Sequence, residues 1–173
     1  DVANAIYEEV DAVMLSGETT VGKHPVRCVQ QLDEIAEATE PFTGLGFTKQ
    51  LTETNDKQSL AVTAVQLAET LGAKGIIVIT RRGLMADYVT NCHPQKTRIF
   101  AFTNDSQTRR RLILNRNLTP YRTAFSSDPE KTLQTSFDVL KERAGLQSND
   151  KVVVISDVLA GTGIEAIQIR HLP

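Results

Sequence analysis

Apolar spacing changes several times along this chain, and each change marks an element. Residues 1–10, DVANAIYEEV, place Val2, Ala5, Ile6 and Val10 on one helical face, with Asp1 as a negative charge at the start. Residues 11–16 are a short apolar stretch stopped by Gly17, and they predict a strand. Pro25 opens a helix to about residue 39, with Val26, Val29, Leu32, Ile35 and Ala36 at helical spacing. Proline is favoured at a first helical position because its missing N–H would have had no partner there. Pro41 ends that helix. Residues 42–56, FTGLGFTKQLTETND, have no periodic pattern and read as a linker.

Beyond residue 56 the pattern becomes regular. Asp56 caps a predicted helix over 57–71, with Leu60, Ala64, Leu67 and Leu71 inward and Gly72 at its end. Residues 75–79, GIIVI, form a β-branched run of the kind buried on both faces of a sheet. Further helices are expected over about 84–91, 106–115 and 128–144, and further strands over 98–103, 119–124, 151–156 and 164–172. Residues 128–130, Asp-Pro-Glu, supply a cap, a first-turn proline and a first-turn acid in succession. Only residues 157–163 separate the last two strands. A parallel crossover needs a dozen or more residues, so these two strands pair antiparallel. The expected fold class is α/β: a three-layer α/β/α domain whose five-stranded, mainly parallel sheet ends in a reversed strand.

Composition narrows the function without naming it. The 173 residues are 40% apolar and 23% charged with a net charge of −2, the profile of a globular domain rather than a nucleic-acid binder. No apolar run approaches the roughly 18 residues a membrane span needs, and no secretion signal opens the chain. Without an initiator Met, the chain is expected to be a fragment or a processed product. The run Arg109-Arg110-Arg111 reads as a solvated helix face. Cys28 and Cys92 read as free thiols in a reducing cytoplasm. His24, His93 and His171 stand singly, so no metal site is built on them.

Two places can carry chemistry. Ligands of open parallel sheets lie beyond the carboxyl ends of the strands. There the first strand delivers Thr80, Arg81, Arg82 and Gly83 ahead of a helix N-terminus: a hydroxyl, two guanidinium groups and backbone donors suited to an anion. Its plainer reading is an ordinary strand–helix turn. Gly161, Thr162 and Gly163 follow the fourth strand on a hairpin loop whose tip is expected near the two arginines. That G-x-G is no dinucleotide fingerprint, because no third glycine and no helix follow it. The second place is DAVMLSGETTVGKHP at residues 11–25, an acid and hydroxyls on a glycine-flanked turn.

DVANA, DAVMLSGET and then G-K-H-P closely resemble the end of the catalytic (β/α)8 barrel of pyruvate kinases. The rest of the chain resembles that family's C-terminal domain in element order, in the IIVIT of its first strand and in the closing hairpin. The resemblance implies three parts: residues 1–41 as a helix–strand–helix remnant of the barrel, 42–56 as a linker, and 57–173 as the regulatory and interface domain. It implies a glycolytic parent enzyme that transfers phosphate from phosphoenolpyruvate to ADP with Mg²⁺ and K⁺. The residues that catalyse this and hold the metal lie on earlier barrel strands, so no catalytic residue, no bound cofactor and no activity are expected of this chain alone. Ser16, Gly17, Glu18, Thr19 and Lys23 match the nucleotide-side rim, with Val21 where the family commonly has lysine.

The resemblance also implies an effector site for a phosphorylated small molecule at Thr80, Arg81, Arg82, Gly83, Gly161, Thr162 and Gly163. Arg82 and Met85 replace two hydroxyls of the family's T-x-S-G-x-[ST] loop, and Glu165-Ala166 replaces a Thr-Asn pair. Expected partners are the chain's own barrel and further subunits, a homotetramer for the parent and a dimer for this chain. The expected location is the cytoplasm, with neither nucleic acid nor membrane engaged. A free-standing anion- or nucleotide-binding module and an unrelated flavodoxin-like binder are the competing readings.

Overall fold

The computed structural model describes residues 1–42, 44–156 and 166–173 and divides them into two compact units, Asp1–Thr52 and Glu53–Pro173. In the first unit, helix α1 (Val2–Tyr7) packs on α3 (Pro25–Thr39), and the short α2 (Gly17–Thr20) packs on α3 as well. Residues 11–16, expected as a strand, are not one. A strand exists through its ladder, and no described strand forms one with this segment. The apolar face expected on α3 is only partly covered: Leu32, Ile35 and Ala36 are half-buried, while Val26 and Val29 are exposed.

Part of the expected linker is ordered by the first unit. Glu9 takes φ 62° and its carboxylate accepts from the N–H groups of Gly46 at 3.2 Å and Thr48 at 3.3 Å. Leu45 N–H donates to the Tyr7 carbonyl at 2.9 Å, and a 3-10 turn follows at Phe47–Gln50.

The second unit contains α4 (Asp56–Leu71), β1 (Gly75–Ile79), α5 (Leu84–Asn91), β2 (Arg98–Thr103), α6 (Ser106–Arg111), β3 (Leu118–Arg122), α7 (Pro129–Ala144), β4 (Lys151–Ser156) and β5 (Ala166–His171). The sheet order is β3-β2-β1-β4-β5, with β5 antiparallel to β4 and the other pairs parallel. The mainly parallel α/β architecture expected from the sequence is therefore present.

Alternation along the central strands divides the core in two. Ile76 and Val78 face a layer with Ala61, Ala64, Ala68, Met85 and Val89, while Ile77 and Ile79 face Leu133, Phe137 and Leu140. The buried stripe of α4 is Ala61, Ala64, Val65 and Ala68, not the leucines expected, because the small side chains let that helix sit close to the sheet. Leu60 and Leu67 flank the contact. The cap of α4 is likewise shifted by one residue: Asn55 accepts from Gln58 N–H at 3.1 Å. The helix expected to reach residue 115 ends at Arg111 and tightens into a 3-10 turn over Leu112–Leu114.

Candidate functional site

From β1 the chain crosses to β2 on one side of the sheet, and β4 lies on the other side of β1, so the strand order reverses between them. A crevice outside the carboxyl ends is expected at such a point. Ile79 is in register with Ser156, which brings Thr80, the residue after β1, next to the end of β4; Thr80 and Ser156 are both buried. Thr80 N–H donates to the Phe102 carbonyl at 2.9 Å, continuing the ladder one residue past β1. The Thr80 hydroxyl then accepts from Gly83 N–H at 3.1 Å and closes the turn that starts α5.

The two arginines of this loop part ways. The Arg81 guanidinium carbon stands 5.8 Å from the centre of the Phe125 ring, a cation–π contact, and the Thr103 hydroxyl donates to the Arg81 carbonyl at 3.2 Å. An open cavity of about 440 Å³ adjoins it, lined by Asn104, Arg122, Thr123, Ala124 and Phe125. Arg82 is exposed, and its guanidinium has no ion-pair partner among the described residues. Met85, one of the two departures from the family loop, is buried in the core and does not reach the crevice. Gly161, Thr162 and Gly163, with Glu165 of the Glu165-Ala166 pair, lie outside the described residues.

A third arginine holds the loop in place. The Arg111 guanidinium donates to both Asp87 carboxylate oxygens at 3.0 and 2.9 Å and to the Arg82 carbonyl at 3.0 Å. The Asn115 amide donates to Asp87 at 2.9 Å and to the Thr90 hydroxyl at 3.2 Å. This cluster ties α6 and the turn after it to α5 and to the loop backbone. Local sequence does not report it, because Arg109, Arg110 and Arg111 are equivalent in pattern and all read as a solvated helix face. Asp105 caps α6, accepting from Thr108 N–H at 2.6 Å, and that bond holds its carboxyl below the ordinary range.

In the first unit, residues 16–20 form a turn satisfied by its own groups. Ser16 N–H donates to the Glu18 carboxylate at 3.1 Å, and the hydroxyls of Thr19 and Thr20 both donate to the Ser16 carbonyl, at 3.1 and 2.8 Å. Ser16, Gly17, Glu18 and Lys23 are exposed and Thr19 is half-buried. Cys28 and Cys92 are both free thiols, and burial followed by the charge of Glu53 pushes Cys92 up to about 11. Among the described residues no group of three His, Cys, Asp or Glu side chains could hold a metal ion. No described helix is long and apolar enough to cross a membrane.

The comparisons with known proteins agree with one another. The family profile described as the pyruvate kinase alpha/beta domain matches residues 58–168. Chloroplastic pyruvate kinase isozyme A of Ricinus communis is 32% identical over 187 aligned positions, covering 100% of this chain and 30% of that protein. Pyruvate kinase 2 of a Synechocystis species is 34% identical, over 93% of this chain and 27% of its own length. A solved pyruvate kinase from Cryptosporidium parvum superposes with a TM-score of 0.86 at 25% identity, covering 99% of this chain and 35% of that one. This chain thus spans about a third or less of the relatives it matches. With two thirds of its length matched by the profile and all of it aligned to the Ricinus protein, the chain belongs to the pyruvate kinase family and contains that family's C-terminal alpha/beta domain.

Proposed function

We propose that this chain is the effector-binding and subunit-contact part of a cytoplasmic pyruvate kinase. The parent enzyme passes the phosphoryl group of phosphoenolpyruvate to ADP with Mg²⁺ and K⁺. Residues 16–23 then belong to the nucleotide-side rim of its barrel, and the Glu53–Pro173 unit meets other subunits. Phosphoryl transfer depends on positioning and on charge stabilisation by a full set of metal and phosphate ligands. The 173-residue polypeptide supplies neither and is inactive alone.

The observation that carries the regulatory reading is the loop at the strand-order reversal. It presents Arg82, a cation without an ion-pair partner among the described residues, beside the N-terminus of α5, where backbone N–H groups point outward. A phosphate there gains charge-assisted hydrogen bonds, which are stronger than those from the hydroxyl that Arg82 replaces. Calorimetric titration of a hexose bisphosphate into the wild type and Arg82→Ser tests this. Binding by the wild type with about tenfold weaker binding by the variant is expected, on the scale of one charged hydrogen bond. No heat with either protein, or equal binding by both, contradicts it.

A further inference from the structure

A second basic cleft runs along the outer edge of β3 and shares Arg122 with the cavity beside Arg81. It is an open groove of about 560 Å³ whose lining includes Arg109, Arg122 and Arg143 together with Ile113, Tyr121 and Val139, and contains no carboxylate. The three arginines come from three elements: α6 on one wall, the end of β3, and α7 on the other wall. Leu118 packs into the α5 side of the core and Tyr121 against the α7 side, so the groove straddles the strand rather than lying on one face. All three arginines are exposed. Arg109 and Arg122 have no ion-pair partner among the described residues, and Arg143 has only a 3.9 Å contact with its neighbour Glu142. Like charges gathered in a cleft with apolar walls focus a positive potential that draws anions inward.

The backbone decides what kind of anion fits. The Asn117 carbonyl accepts from Ile99 N–H and Thr123 N–H donates to the Thr103 carbonyl, so the odd residues of β3 bond to β2. The even residues, with Pro120 at the centre, face the open edge. Proline offers no N–H there, so an added peptide strand would lose the middle of its ladder. The volume is that of a small-molecule cleft. Ile113 is 53% exposed, and it stands with the half-buried Tyr121 and Val139 as an apolar bed between the cations, while Pro120 beneath them is buried.

We propose that the β3-edge groove binds a phosphorylated small molecule, its phosphate held by Arg109, Arg122 and Arg143 and its ring or apolar body laid on Ile113 and Tyr121. Its lining contains none of residues 80–83, so binding here can be tested apart from binding at that loop. Phenyl phosphate and inorganic phosphate, titrated into the ¹⁵N-labelled full chain, are the probes. Saturable amide shifts at Thr119, Tyr121, Arg122, Val139 and Arg143 are expected, with phenyl phosphate binding tighter than inorganic phosphate. Arg109→Gln and Arg143→Gln, both at exposed positions, should each weaken binding about tenfold while leaving the rest of the spectrum unchanged. The proposal is overturned if no shift saturates by about 50 mM, on the scale expected for fragment-sized ligands. Shifts confined to residues 80–83, or unaltered binding by both variants, overturn it equally.

Discussion

At Gly83 the backbone takes φ 83°, and a Cβ placed there would stand 2.3 Å from the Arg111 guanidinium. Two demands therefore meet at one position: a left-handed turn into α5, and room for the side chain that fastens the loop to α6. Gly83→Ala forces an L side chain into the left-handed region, at a cost of about 1–2 kcal/mol, and pushes Arg111 off Asp87 and the Arg82 carbonyl. Urea unfolding should show that loss, and a variant as stable as the wild type would contradict it. The glycine was legible in the sequence as part of a turn, but its neighbour was not. Arg109, Arg110 and Arg111 are alike in local pattern. Only Arg111 meets Asp87, 24 positions away, and no local spacing reports such a pair.

Elements were legible where the sequence alone satisfies them. The run at Gly75–Ile79 is buried at every position, and the caps of α7 at Asp128 and Gly145 fall where a proline and a glycine place them. Residues 11–16 have the same apolar look, yet form no strand, because a strand depends on neighbours while a helix supplies its own hydrogen bonds. The start of β1 also depends on its neighbour. A Cβ on Gly75 would lie 2.5 Å from the fully buried ring of Phe100 on β2. Gly75→Ala should therefore overpack the sheet and cost about 1–3 kcal/mol, lowering the melting temperature by several degrees in a thermal scan. An unchanged transition would show that the ring gives way freely, against the close packing described.

Over the whole molecule, sequence and structure inform different parts of the account. The SGET turn and the IIVIT strand carry the resemblance to the family, because each matches that family's sequence as a continuous run. How the loop at residues 80–85 is built was not legible: Arg81 leaning on Phe125, Met85 turned into the core, and Arg111 clamping the Arg82 carbonyl all depend on tertiary partners. The β3-edge groove was equally hidden, since its three arginines lie on three elements and converge only when the sheet forms. The proposed function gives this chain the family's C-terminal alpha/beta fold and assigns the phosphoryl-transfer chemistry to the rest of the parent enzyme. Its most direct test is a coupled assay for pyruvate formation, with the purified chain, phosphoenolpyruvate, ADP, Mg²⁺ and K⁺. No rate above the protein-free blank is expected, and a rate that rises in proportion to the amount of chain would overturn the assignment.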